Sequence, residues 1–297
     1  MNFKICVAFI FGTSVHLMAQ THTEKIAKEF SFEKKGAHNA LMIANINGDV
    51  KVMAGTGDKI MVEITKTINA KTDERLAKGK EEVQLGIVDL ADTVILYVNS
   101  PCNRFERSSP KSRHSHMGTK WGYSWDDRRR SCDELYNYTL DFVVTVPAGV
   151  NLLVSTINDG DVSVQDVKGV VKAHNINGAI RLQNLASESE AHTINGDVDI
   201  EYSHNPQREC RFYTLNGDIN AVFQRGLTAD LGFQSFNGSL YTNIDRLETL
   251  PAYIEKENKN GQTKYKINDN RFKVGAGGPF LEFETFNGNV YLKEKSN

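Results

Sequence analysis

Apolar and polar residues alternate along most of this chain, and an asparagine-glycine pair punctuates the alternation. The phrase "AHTINGDVDI" (residues 191–200) shows the unit, which recurs as "ANINGDVKV" from Ala44, "STINDGDVSV" from Ser155 and "AHNINGAIRL" from Ala173. Later copies are "YTLNGDINA" from Tyr213, "QSFNGSLYT" from Gln234 and "ETFNGNVYL" from Glu284. The glycines are Gly48, Gly160, Gly178, Gly196, Gly217, Gly238 and Gly288, so the steps from 160 to 238 are 18, 18, 21 and 21 residues. The steps from 48 to 160 and from 238 to 288 contain longer inserted material.

Aligned on the glycine, the columns are chemically uniform. Five residues before it stand Ile43, Ala173, Ala191, Phe212, Phe233 and Phe283, and three before it Asn45, Asn175, Thr193, Thr214, Ser235 and Thr285. Two before it are Ile46, Ile176, Ile194, Leu215, Phe236 and Phe286. Two and four after it come pairs such as Val50 and Val52, Ile180 and Leu182, Val198 and Ile200. The copy at 155–164 carries one extra residue, Asp159. Period-two alternation after the glycine predicts a strand with one face inward, and Asn-Gly suits a bend because both residues tolerate positive φ.

Two all-β architectures satisfy this pattern. With tight hairpins at Asn-Gly, the chain is an antiparallel meander. With corners there, it is a β-solenoid, a single-stranded parallel β-helix-like coil of 18–21-residue rungs. The columns favour the solenoid, because in-register stacking sets Asn177, Asn195 and Asn216 about 4.8 Å apart as an amide ladder. The structural turn positions are then Asn47, Gly48, Asn177, Gly178, Asn195, Gly196, Asn216, Gly217, Asn237, Gly238, Asn287 and Gly288.

Helix signals are scarce. "TDERLAKGKEEV" from Thr72 has a polar start and good helix formers and predicts one short helix. "GDKIMVEITKT", "DTVILYVNS" and "YNYTLDFVVTVPAGVNLLVSTIND" alternate as strands. The start, with Lys4, the apolar "ICVAFIFG" and a small-residue exit near Ala19, reads as a signal peptide over residues 1–19. The expectation is an exported chain with one elongated β-domain over 24–297, placed in the periplasm, at the cell surface or released. With 35 basic against 37 acidic residues, no global field argues for nucleic acid, and no later stretch approaches the about 20 apolar residues of a membrane span. Of the three cysteines past the signal, Cys102 and Cys132 are expected to bond in an oxidising compartment, and Cys210 to be a buried, free thiol.

The stretch "DFVVTVPAGVNLLVSTINDGDVSVQDVKGVVKAHNINGAIRLQNL" resembles the bacterial "putative adhesin" family, and "VGAGGPFLEFETFNGNVYL" is similar to that family's closing rung. The resemblance spans roughly Ala40 to Leu292. It implies an exported β-helical protein with a surface or periplasmic binding role, and it brings no catalytic residues, because the shared positions are turns and core columns.

The candidate site is the segment that departs from the repeat, at about 101–133. It gathers Trp121, Tyr123, Trp125, Arg128, Arg129 and Arg130. Aromatic rings stack on sugar faces and arginine pairs with carboxylate or phosphate, so a glycan or other envelope polymer, or a surface protein, is the expected partner. The plainer reading is a solvated basic loop with its tryptophans tucked against the rungs. His174 and His192 share a column, and two exposed strand histidines are a better reading than a metal site, which wants more ligands. Asp197 and Asp218 would come within about 5 Å, a glycosidase-like spacing, yet turns favour aspartate anyway. "VGAGG" lacks the Lys-Ser/Thr of a phosphate loop. The functional expectation is a non-enzymatic exported binding protein of the cell envelope, without cofactor or metal. The alternatives are a carbohydrate-active enzyme on a β-helical scaffold or a purely structural envelope protein.

Overall fold

The computed structural model describes residues 20–103, 105, 133–259, 262–268 and 270–296. The first elements in chain order are β1 (Gln20–Phe30), β2 (Ala40–Ala44), β3 (Val50–Gly55), β4 (Ile60–Ala70), α1 (Asp73–Glu82), β5 (Gln84–Asp89) and β6 (Thr93–Asn99). Then follow β7 (Tyr136–Pro147), β8 (Asn151–Ser155), β9 (Val162–Gln165), β10 (Val171–His174), β11 (Ile180–Leu185), β12 (Ser189–Asn195) and β13 (Val198–Tyr202). The remainder is β14 (Cys210–Asn216), β15 (Ile219–Phe223), β16 (Ala229–Asn237), β17 (Leu240–Thr242), β18 (Leu247–Thr249), β19 (Tyr253–Lys259), β20 (Gln262–Asn268), β21 (Arg271–Val274), β22 (Phe280–Asn287) and β23 (Val290–Glu294). The all-β expectation holds, and the one predicted helix is α1, whose N-cap Thr72 accepts from the Arg75 amide at 3.3 Å.

The strands form two large open sheets and a separate β19–β20 hairpin. In all seven repeat copies the strand before Asn-Gly lies in the 11-stranded sheet and the strand after it in the 10-stranded sheet. The two arms of a copy therefore never pair with each other, which removes the meander. They pair instead with the same arm of neighbouring copies, in parallel and in the register of the aligned columns: Ala173 with Ala191, Phe212 with Phe283, Ile180 with Val198. The sheets are mixed, however. Antiparallel pairs β1–β4, β4–β7, β5–β6, β16–β21 and β18–β21 extend them at their ends, which corrects the expectation of a uniformly parallel coil.

Spatial order also departs from chain order. In both sheets the late copy at β22 and β23 lies between the copies at β14–β15 and β16–β17. The early copy at β2 and β3 lies between β6 or β7 and the copy at β8–β9. Between the sheets, Val50, Val162, Ile180, Val198, Ile219 and Val290 are all fully buried, as are Ile43, Val154 and Ala173 across from them. Tyr202 stacks on Phe223 at 5.3 Å, and Phe212 lies 5.2 Å from Phe283.

The corner carries three sets of stacking interactions. Asparagine side chains run as a ladder through Asn47, Asn158, Asn177, Asn195, Asn216, Asn287 and Asn237, each amide donating to its neighbour's Oδ1. The first of these bonds is 3.3 Å and the others 2.8–2.9 Å. The small polar column points inward and bonds the glycine carbonyl of the preceding rung. Thr156 reaches Gly48 O at 2.8 Å, Thr193 reaches Gly178 O at 2.9 Å, and Thr214 reaches Gly196 O at 2.8 Å. Thirdly, the aspartate after the glycine accepts the backbone N–H of the next rung, as Asp49 does from Asp161 and Asp197 from Asp218.

The glycine serves the bend expected of it, with φ of 110° at Gly48, 153° at Gly196 and 156° at Gly217 and Gly288, and it has a second reason besides. A Cβ on Gly196 would lie 2.3 Å from Gly178 O, and one on Gly217 would lie 2.2 Å from Gly196 O. Close stacking excludes a side chain there too, and the positive φ falls on the glycine alone, since none of the ladder asparagines has one. The extra residue of the 155–164 copy is absorbed by Asp159, which takes a left-handed φ of 54° and leaves Asn158 and Gly160 in their columns.

These contacts set an order of costs for single substitutions, measured by urea unfolding. Gly196→Ala is expected to lose about 3 kcal/mol, because backbone must shift to admit the methyl. Thr214→Val, which strands a buried carbonyl, is expected to lose about 1–3 kcal/mol. Asn195→Ala removes two exposed amide bonds and is expected to lose about 1–2 kcal/mol. A neutral Gly196→Ala would contradict the stacking explanation.

Candidate functional site

Outward-facing columns of the 11-stranded sheet assemble side chains that are far apart in the chain. The column four residues before the glycine, five in the copy with the extra residue, places Ser155, His174, His192, Tyr213 and Glu284 on successive strands. The column six before it places Lys172, Glu190, Arg211 and Glu282 side by side. The His192 and Tyr213 rings stack at 4.3 Å with 29° between their planes, and His174 meets His192 edge-on at 6.3 Å.

Charge along the second column alternates in sign. Lys172 Nζ lies 3.4 Å from Glu190, His174 Nε2 lies 3.4 Å from the other oxygen of Glu190, and Arg211 Nε lies 3.5 Å from Glu282. Arg211 also binds Glu209 at 2.6 Å, and this hydrogen bond holds its guanidinium above the usual arginine range. Burial, with help from Glu284, raises the Tyr213 phenol, so it stays a neutral hydrogen-bonding ring.

A shallow hollow of about 280 Å³ opens over these groups, lined by Glu190, His192, Arg211, Tyr213, Glu282 and Glu284. A second of about 320 Å³ adjoins it and adds Lys172, Glu188 and Glu209. Together they hold five carboxylates (Glu188, Glu190, Glu209, Glu282, Glu284) against two fixed cations, Lys172 and Arg211. A stacked ring pair with an acidic border offers ring edges and acceptors that can pack on a sugar and hydrogen-bond its hydroxyl or amino groups.

The sequence-derived candidates fare differently. Trp121, Tyr123, Trp125, Arg128, Arg129, Arg130 and Cys132 lie outside the described residues, as does the signal peptide. Cys102 is disulfide-bonded. The expectation of two exposed histidines is corrected: His174 is 4% exposed and His192 half-buried. Among the described residues, no group of three or more His, Cys, Asp or Glu side chains could hold a metal ion. Asp197 and Asp218 are spent on the stack, since Asp218 in turn accepts the Asn289 amide at 2.7 Å.

Sequence reasoning missed Glu190, Arg211, Glu282 and Glu284. Core columns repeat a residue type, but this surface column alternates in sign, so a search for repetition passes over it. Complementary charge at a fixed offset from each glycine was the available signal.

No family model matches the chain, and no curated protein matches it. Two solved structures are similar. One is a "putative cell adhesion protein" from Clostridium sporogenes, 10% identical, with 92% of this chain and 100% of that one covered and a TM-score of 0.36. The other is a "putative adhesin" from Bacteroides fragilis, 11% identical, with 92% and 97% covered and a TM-score of 0.36. No helix among the described residues is long and apolar enough to cross a membrane.

Cys210 is free and buried beside Tyr202, whose hydroxyl lies 3.2 Å from the sulfur and 2.5 Å from Ser189 Oγ. Burial pushes its thiol above the ordinary range. In the folded, unreduced protein Cys210 should therefore stay unlabelled by a thiol reagent at pH about 8, and unfolding in denaturant should make it reactive, as peptide mapping would read. Fast labelling of the Cys210 peptide in the native protein would show that it is accessible.

Proposed function

We propose that this chain is an exported, adhesin-like binding protein of the cell envelope that holds a glycan on the outer face of its 11-stranded sheet. The observation that carries the reading is the His192–Tyr213 ring stack bordered by Glu190, Glu282 and Glu284. Those carboxylates favour a glycan that offers hydroxyl or amino donors over a polyanion. The paired arms of the seven copies are read as rungs of a short β-solenoid, which supplies a rigid backing for the rings; the parallel register and the asparagine ladder support this. Export is supported by the signal-like start and by the disulfide at Cys102, since such bonds persist in oxidising compartments.

The test is calorimetric titration of the purified protein with a glucosamine oligosaccharide and its N-acetylated counterpart. Tyr213→Ala should weaken binding by about tenfold or more, as loss of an aromatic anchor does. Glu282→Gln with Glu284→Gln should weaken the amino form more than the acetylated one, and added salt should narrow that difference. The Trp121→Ala, Trp125→Ala double variant is the discriminating control. Binding lost there and kept in Tyr213→Ala would assign recognition to the inserted segment.

A further inference from the structure

Among the described residues, the stack of rungs is finished at one end and open at the other. At the first end the uninterrupted 12-residue strand β7 covers the earliest Asn-Gly copy, with β4, β1 and α1 beyond it. The other end is the copy at Phe233–Thr242. Its β17 is the last strand of the 10-stranded sheet and, among the described residues, pairs only with β23. In β16 the antiparallel partner β21 covers Ala229–Gly232 and stops there, leaving Gln234–Asn237 with strand partners on one side only, among the described residues.

Three further features mark this end as incomplete. The inward columns, fully buried at every interior rung, become half-exposed at Phe233 and Leu240, so the apolar core itself reaches the surface. Large apolar rings stand outside it, with Phe236 74% and Tyr241 52% exposed, stacked on Phe286 and Tyr291. The ladder ends at Asn237, which donates to Asn287 and, among the described residues, has no further rung to accept from.

Edge strands are ordinarily guarded by charge, proline or bulges. The other edges follow that rule: β1 carries Glu24, Lys25, Lys28 and Glu29, β5 ends on Asp89 and β18 holds Glu248. The open rung does not, because Gln234–Thr242 ("QSFNGSLYT") contains no charged residue and no proline.

We propose that this rung is a self-association surface whose occupant is a second copy of the same chain. The two arms of the rung run in opposite senses, toward the Asn237–Gly238 corner and away from it. A two-fold axis through that corner lays β16 of each copy antiparallel on β17 of the other, so both free edges are paired at once and none is left to propagate. An uncharged edge meets itself without repulsion, and the half-exposed Phe233 and Leu240 become core. The union is a closed, end-to-end dimer.

Sedimentation of the purified protein up to about 100 µM tests this, since a dimer forms by mass action. A concentration-dependent dimer is expected. Phe236→Lys with Tyr241→Lys should raise its dissociation constant by about tenfold or more, as loss of interface anchors does. The circular dichroism spectrum should be unchanged, because both side chains are exposed. Thr23→Lys, on the far edge, should change nothing. Ser239→Cys, beside the axis, should form an intermolecular disulfide under mild oxidation. A monomer throughout, association unaffected by the double lysine variant, or open-ended growth beyond a dimer would each overturn the proposal.

Discussion

Direct contact between the glycines of successive rungs is the constraint on which the rest of the structure depends. Gly178, Gly196 and Gly217 each approach the carbonyl of the preceding glycine so closely that no side chain fits between. Once the corners are held at that distance, the asparagine amides fall within hydrogen-bonding range, and so do the threonines that take the glycine carbonyls. The ladder amides, the threonines and the aspartates of the corner therefore find partners in the neighbouring rung, so the bend depends on the stack. Asn45 and Asn175 also bond within their own rung. Buried carbonyls at the corner would otherwise lose water without compensation.

The same constraint shapes the surface. Side chains at one offset from the glycine are fixed as strand neighbours, so each outward column must avoid stacking like charges. Two solutions occur. In the column that follows the glycine, aspartates are tolerated because each carboxylate accepts a backbone N–H, and Ala179 interrupts the row where Arg181 binds Asp161 at 2.5 Å. On the 11-stranded sheet the column instead alternates, Lys172, Glu190, Arg211, Glu282. The polar border beside the His192–Tyr213 stack is thus partly a consequence of how a parallel stack manages charge, and the rings give that border something to orient.

Ends are the remaining problem of such a stack, because the corner chemistry has no natural stop. At the early end the chain changes construction: β7 runs through without a bend, still placing Leu140 O to accept from Asn45 and Asp141 to accept from the Asp49 amide. Antiparallel strands and a helix then cover the core. The late end retains the repeat chemistry to its last rung.

Much of the fold was legible in the residues themselves. Identical residue types at fixed offsets from a glycine require equivalent environments, and parallel stacking supplies them, so the core columns, the ladder and the short helix could be read directly. Asp159 was visible as an extra residue, though not that a left-handed φ would absorb it. The order of the rungs was not legible. The copies at β2–β3 and β22–β23 carry the same corner as their neighbours, and nothing local distinguishes which copy each will stack upon. That choice is made by long-range pairing and by the strands between copies, whose antiparallel additions make the sheets mixed. The glycine's second reason, the close contact, was hidden likewise, since a bend and a close contact leave the same letter. The outer-face cluster depended wholly on the tertiary structure: residues from Lys172 to Glu284 meet only after the stack has folded, and complementarity, unlike identity, leaves no repeat to see.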